Sequence, residues 1–307
     1  MNKKCVGCGI LLQTQNKENS GYVSDLNFSY CERCFRNINY SEINDLNVAI
    51  DNHSIIDKIN KKSDLVFFVA DLLNLSEDLI KIYKKISKPK YFVINKIDVL
   101  PKSITLDKIT NLLKNEYKIT ENIIYTSKNN SNLLDKIEKA KNIYFCGLSN
   151  SGKSTIISNL TGNNNLIKSY MLNSTQDYNI VDFEDKKIID CPGFVLVSNL
   201  QNDKLLKIIL PSKKINPRTF QISKEVTLNF HDIFSIRLED ENSVTCYISN
   251  GLVIKKIYKE IAEYDEITIP SNSDLIIKGI GFINIKNKTT IKITKNLIVD
   301  IRNSIFK

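Results

Sequence analysis

Residues 142–155 read NIYFCGLSNSGKST: an apolar, strand-like run enters the pattern G-x-x-x-x-G-K-S at 147–154, and a helical segment follows. Strand, glycine-bounded loop and helix in that order form a phosphate cradle. The backbone N–H groups of Gly147, Leu148, Ser149, Asn150, Ser151 and Gly152 can face the phosphates, and a helix opening at Lys153, Ser154 and Thr155 adds its dipole. Lys153 is expected to reach the β and γ phosphates, and Ser154 to offer its hydroxyl to magnesium. Such a loop works at the carboxyl edge of a mostly parallel α/β sheet, which narrows the fold at once.

The loop lies almost halfway down a chain of 307 residues. Before it come three apolar runs, LVFFVAD at 65–71, YFVIN at 91–95 and NIIYT at 122–126, separated by helical stretches near 75–88, 103–117 and 130–140. This alternation predicts βαβ units whose carboxyl ends bring Asp71, Asn95, Ser127 and Gly147 to one rim. Asn95-Lys96-Ile97-Asp98 ends the second run. A carboxylate at Asp98 accepts from the N1–H and the exocyclic amine of guanine, a pair of donors that adenine lacks. Lys96 can lie along the base plane and Asn95 can brace the loop. Beside a phosphate cradle, this motif selects GTP or GDP.

After the cradle, KKIID leads into Asp190-Cys191-Pro192-Gly193, with Asp190 placed 36 residues beyond Ser154. Asp190 can hold a magnesium-bound water and Gly193 can offer its N–H to a γ phosphate. The loop between contains Ser174 and Thr175, either of which can complete the magnesium shell; Thr175 is preferred. The catalytic set is therefore Lys153, Thr175, Asp190, Gly193 and Asn150, and the magnesium ligands are Ser154, Thr175 and Asp190.

Four of the seven cysteines form two C-x-x-C pairs, Cys5/Cys8 and Cys31/Cys34, with 22 residues between the pairs. In a reducing compartment four thiolates close a tetrahedral shell around structural zinc. The polar segment between the pairs is too short to bury a core, so the metal would supply folding energy. Arg33, Phe35, Arg36 and Tyr40 flank the second pair, a mixture of cations and rings suited to RNA. A formal charge of +9 favours an anionic partner, and equally fits a chain that is simply rich in asparagine and lysine. No apolar run is long enough to span a membrane and the N-terminus lacks the apolar core of a signal peptide, so a cytoplasmic protein is expected, with no membrane or DNA partner.

The guanine motif thus precedes the phosphate loop, whereas the common GTPase order is the reverse. Joining a sheet's ends and cutting it elsewhere keeps strand neighbours while moving the termini. CVGCG, the Gly-Tyr at 21–22, CERCF, NKID at 95–98, the TSK loop at 126–128, GLSNSGKS, DCPG at 190–193, GIGFINI at 279–285 and VDIRNS at 299–304, taken in this order, resemble the YqeH family of circularly permuted GTPases over nearly the whole chain. The resemblance implies a switch in assembly of the small (30S) ribosomal subunit that contacts rRNA, with Ser127 and Lys128 beside the base; the sequence leaves the oligomeric state open, a monomer being the expectation. It also implies slow hydrolysis, since Phe194 stands where other GTPases place a water-orienting glutamine. Asn150 matches an asparagine of potassium-dependent relatives. The switch loop, LNST at 172–175, and Cys191 in place of a threonine depart from the family pattern.

Beyond residue 211 the texture changes to short strand-like strings divided by Asn, Gly and Asp, with one helix-like segment near 255–263. Three units are expected: a treble-clef-like zinc module at 1–45, a circularly permuted GTPase domain at 46–210 and a β-rich domain at 211–307. Lys213, Lys214, Arg218, Lys286, Lys288, Lys292, Lys295 and Arg302 supply cations to the last, and Arg218 and Arg302 are the foremost candidates for RNA contact. The competing readings are an RNA-binding scaffold with a weakly hydrolytic nucleotide site, and a nucleotide-dependent kinase, for which no acceptor signature is visible.

Overall fold

The computed structural model describes residues 3–5, 11–15, 21–32, 52–128, 133–162, 178–194 and 203–307. Its first large body comprises α1 (Asn52–Lys62), β1 (Leu65–Asp71), α2 (Glu77–Lys84), β2 (Lys90–Asn95), α3 (Leu106–Asn115), β3 (Ile123–Tyr125), α4 (Leu134–Ile137), β4 (Asn142–Gly147), α5 (Lys153–Thr161), β5 (Asn179–Phe183) and β6 (Lys186–Asp190). The strands form one sheet in the order β3-β2-β1-β4-β6-β5. Every pairing is parallel except the hairpin of β5 with β6.

The order carries the permutation. β1, β2 and β3 run outward from the centre to one edge, and β4 then restarts beside β1. Reading from β4 through β6 and onward to β1, β2 and β3 gives the order in which the phosphate loop comes first, with no sheet neighbour changed.

β1 explains why the sheet is buried on both faces. Val66, Phe68 and Ala70 join one core with α1, α2 and α3, while Leu65, Phe67 and Val69 join a second core with α4 and α5. The two sets alternate with the two-residue period of a strand, so a continuous apolar run serves both layers. Ser76 and Thr105 cap α2 and α3 by accepting from Leu79 N and Lys108 N.

The second body is antiparallel throughout. It holds α6 (Asp203–Ile209), β7 (Arg218–Ile222), β8 (Val226–Phe230), β9 (Phe234–Leu238), β10 (Asn242–Ile248), β11 (Ile254–Ile257), β12 (Tyr264–Ile269), β13 (Ser273–Ile277), β14 (Gly281–Ile285), β15 (Thr289–Thr294) and β16 (Val299–Asn303). Two five-stranded sheets, β16-β13-β14-β10-β7 and β11-β8-β9-β15-β12, share one apolar core and make a sandwich. The first sheet is buried on its other face too. Leu275, Ile277 and Ile283 point into the sandwich, whereas Tyr247, Ile276 and Phe282 pack into the core under α2 and α3. The sandwich is therefore docked on the α/β body by alternate residues of the same strands.

Three sequence expectations are corrected here. The helix expected near 255–263 is instead strand β11 followed by irregular chain, because Ile254 to Ile257 pair with β8. Arg302, expected at an RNA surface, is 3% exposed. Its Nε bonds Asp274 Oδ2 at 3.2 Å, and Nη1 donates to Leu72 O at 2.9 Å and Leu75 O at 3.0 Å. It is a buried link between the two bodies. Arg218 is likewise turned inward, donating to the carbonyls of Leu252 and Ser249. The lone antiparallel strand β5, β7 within the proline-bearing junction, and β12 were not anticipated. No helix among the described residues is long and apolar enough to cross a membrane.

Candidate functional site

The carboxyl ends of β1, β2, β3, β4 and β6 converge. In the register, Asp71 lies beside Asn95 and Val69 beside Gly147. The loop after β4 turns through Asn150, whose φ of 60° is left-handed, and Gly152, whose φ is 97°. Asn95 Nδ2 donates to Ser151 O at 2.9 Å, and Thr126 Oγ1 donates to Asn95 Oδ1 at 2.9 Å. One buried amide thus joins the candidate guanine segment, the phosphate loop and the turn after β3. A Cβ on residue 152 would lie 2.2 Å from Asn95 Nδ2, so both the conformation and the close approach require glycine there.

Helix α5 starts on that glycine without a side-chain cap. Its first-turn N–H groups lack the hydroxyl partner that α2 and α3 possess, an arrangement suited to an anion. Lys153 is buried, with Nζ donating to Leu148 O at 2.9 Å and to Gly147 O at 3.3 Å. Burial pushes its ammonium below the usual lysine value, and the neighbouring Asp190 carboxylate opposes that shift. Ser154 Oγ donates to Asp190 Oδ2 at 2.6 Å. A hydroxyl and a carboxylate in contact are hard oxygen donors of the type magnesium takes. Ser149, Asn150 and Thr155 are partly exposed along the loop and first turn, while Ser151 is buried.

The turn after β6 leans on the same loop. Phe194 N donates to Gly147 O at 3.0 Å, and a Cβ on residue 193 would fall 2.3 Å from Ser149 Oγ. Phe194 itself is 1% exposed and packs on Phe68 with ring centroids 6.0 Å apart, so its side chain cannot face a reacting water. Cys191, also buried, has its thiol pushed up by desolvation.

On the base side, Lys96 adopts a left-handed φ of 62°, and its Nζ meets Asp71 Oδ2 at 3.1 Å. Asp98 is exposed in the short turn Ile97–Val99. Ser127 and Lys128 follow β3, and the carbonyl of Lys128 accepts from Asn159 Nδ2 of α5 at 2.8 Å. Ser174 and Thr175 lie outside the described residues, as do Cys8, Cys34, Arg33, Phe35, Arg36 and Tyr40. Cys5 and Cys31 are brought together: the N–H of Cys31 donates to Cys5 Sγ at 3.1 Å, in a small core with Leu12 and Val23. Among the described residues no group of three metal-ligating side chains is assembled.

Sequence reasoning put Asp71 on the rim but gave it no role, and it passed over Thr126. An acid terminating a wholly apolar strand, and a hydroxyl one residue past another, were the available signals.

The RsgA GTPase family matches residues 71–199, a span containing the guanine segment, the phosphate loop and the DCPG turn in this chain's own order. A family described as 50S ribosome-binding GTPase matches residues 142–270. The chain is 29% identical to the uncharacterized protein YqeH of Bacillus subtilis (strain 168) over 288 residues, covering 84% of this chain and 79% of that protein. It is 25% identical to GTPase Der of Karelsulcia muelleri (strain GWSS), covering 93% and 75%. Among solved structures, GNP-bound YlqF from T. maritima is 23% identical over 53% of this chain and 68% of that one, with a TM-score of 0.34. The chain is a circularly permuted P-loop GTPase related to YqeH and to the RsgA GTPases.

Proposed function

We propose that this GTPase is a nucleotide-gated factor in assembly of the small ribosomal subunit. The observation that carries the reading is the Asn95 amide, which joins the guanine segment to the phosphate loop at Ser151. One nucleotide can then occupy both, with its purine against Lys96 and Asp98 and its phosphates over residues 147–155. Ser127 and Lys128 flank the base from the turn after β3. Lys153 would exchange its two carbonyl partners for phosphate oxygens, and Ser154 and Asp190 would hold magnesium, with Thr175 or Ser174 completing the shell. Bound magnesium would neutralise charge on the β and γ phosphates. Gly193 would offer its N–H to the γ phosphate. Asn150, in its left-handed turn, is the proposed ligand for potassium; equal turnover in potassium and sodium would remove that element.

Three units are proposed: a zinc module over 1–45, the GTPase domain over 46–210, whose closing helix α6 packs into the sandwich core, and the β-rich domain over 211–307. Cys5 and Cys31, joined by the bond from Cys31 N–H to Cys5 Sγ, would with Cys8 and Cys34 supply a four-thiolate zinc site. Contact with rRNA is assigned to the exposed Lys213, Lys214, Lys286 and Lys288. Lys292 and Lys295 face Glu239 and Glu263 at 2.7 Å and 3.5 Å, which lowers their value to a polyanion.

The test is sedimentation of the full chain with purified 30S and 50S subunits in GDP, GTP and a non-hydrolysable GTP analogue. Nucleotide-dependent association with 30S particles, weakening steeply as salt rises, is expected. Association with 50S particles alone would overturn the subunit assignment. Equal affinity for ATP and GTP would overturn the switch.

A further inference from the structure

We infer that Asp71 is a positioning residue for the guanine-side Lys96, and that Asn74 couples this pair to the C-terminal sandwich. The inference rests on the proposed guanine site and adds a route by which its occupancy reaches a surface away from the phosphates.

The two carboxylate oxygens of Asp71 are divided between two tasks. Oδ1 accepts from the N–H of Asn74 at 3.1 Å and from its Nδ2 at 2.9 Å. Oδ2 meets Lys96 Nζ at 3.1 Å. A residue that merely capped the turn Leu72–Asn74 would need only the first. The carboxylate side chain is 5% exposed and the lysine 18%, so water screens the pair weakly and it constrains the lysine. Lys96 also sits in a left-handed conformation, which fixes where its side chain departs.

Asn74 is likewise divided. While Nδ2 serves Asp71, its Oδ1 accepts from the N–H of Gly279, in the turn between β13 and β14, at 2.8 Å. The sandwich grips the same segment elsewhere. Arg302 holds Leu72 O and Leu75 O, Lys278 meets Asp78 at 2.7 Å, and Asp300 accepts from Glu77 N at 3.1 Å. The path Gly279–Asn74–Asp71–Lys96 is thus an unbroken series of hydrogen bonds whose two ends belong to different bodies. A purine lying along Lys96 tightens the series, and a partner that shifts the sandwich loosens the lysine. By linkage, each effect equals the other in free energy.

The direct measurement is hydrogen–deuterium exchange at the Gly279 amide of the wild-type full chain, with and without GDP. Slower exchange with GDP is expected, and that slowing should vanish in Asn74→Leu. Release of a fluorescent GDP analogue should be about ten-fold faster in Asp71→Asn, the scale of losing one charge-assisted contact. In a Lys96→Met background the same change should alter release less than two-fold. Three results would overturn the inference: a Gly279 amide indifferent to GDP in the wild type, wild-type GDP release from Asp71→Asn, or an equal effect of Asp71→Asn with and without Lys96. If wild-type protein fails to bind GDP at all, the guanine site itself falls, a failure distinct from these three.

Discussion

Replacing Arg302 with methionine tests the docking of the two bodies. The guanidinium is 2% exposed at its side chain and its partner Asp274 0%, so the pair lies out of water. Methionine keeps much of the volume but strands the Asp274 carboxylate and leaves Leu72 O and Leu75 O without their Nη1 donor. It also removes a guanidinium lying 4.7 Å from the centroid of Phe282. Breaking one side of a buried pair costs about 3–5 kcal/mol, and abandoned carbonyl acceptors push the loss toward the upper end. A loss of about 4 kcal/mol is expected in urea unfolding of the full chain.

The pH dependence separates this account from a simple packing defect. Burial holds the Asp274 carboxyl above its ordinary value, with Arg302 the chief opposing influence. Removing Arg302 drives it higher. A group whose folded pKa is raised binds its proton more tightly in the native state. Its stabilising contribution is full at low pH and fades as pH rises through the folded value. The penalty of Arg302→Met relative to wild type should therefore be smallest near pH 4 and grow toward pH 8. A penalty below about 1 kcal/mol, or one flat across that range, would refute the assignment of a desolvated ion pair to this position.

Three further outcomes follow from the site. Gly152→Ala forces a Cβ to 2.2 Å from Asn95 Nδ2 at a φ of 97°, so GTP affinity measured by calorimetry should fall at least ten-fold, with a stability loss of about 2 kcal/mol. Lys153→Met should abolish GTP binding, and it also removes a buried ammonium whose pKa burial depresses. Wild-type stability should accordingly climb as pH approaches the ordinary lysine value, and the variant should lack that climb in thermal melts. Cys146, pushed up to about 12, and the similarly buried Cys246, also about 12, should resist iodoacetamide until the chain unfolds, as mass spectrometry of labelled peptides would read.

The legible parts of the sequence were those written in one local code. Residues 65–71 announce a strand buried on both faces, and the glycine and lysine spacing at 147–154 announces its loop. The strands of the sandwich were legible one by one but their docking was not. In β13 every residue is buried, yet Leu275 and Ile277 serve one core while Ile276 serves another. An all-apolar string does not say which neighbour covers each face. Arg302 misled for a related reason: a cation near the end of a lysine-rich chain reads as surface until Asp274, 28 residues earlier, is seen beside it. β11 failed because IKKI carries two lysines and four residues, too little for a two-residue period to show against helical spacing.

Chain order decides which half of the site is tied to the sandwich by covalent bonds and which by docking. In this permuted chain the DCPG turn after β6 runs forward into α6, whose Ile209 lies in the sandwich core. In chain order the DCPG turn is therefore followed directly by the sandwich unit. The base side lies on strands that come earlier in the chain, and it meets the C-terminal unit through non-covalent contacts, among them those of Asn74, Asp78 and Arg302 and a backbone bond from Ile215 N to Val99 O at 2.8 Å. With the phosphate loop first in the sequence, β3 would end the domain and a following sandwich would be covalently joined on the base side instead. The permutation thus makes the DCPG side, rather than the base side, the neighbour of the β-rich domain in chain order. Without a covalent link on the base side, the polar contacts and the apolar packing of Tyr247, Ile276 and Phe282 together hold the sandwich against that side of the α/β body.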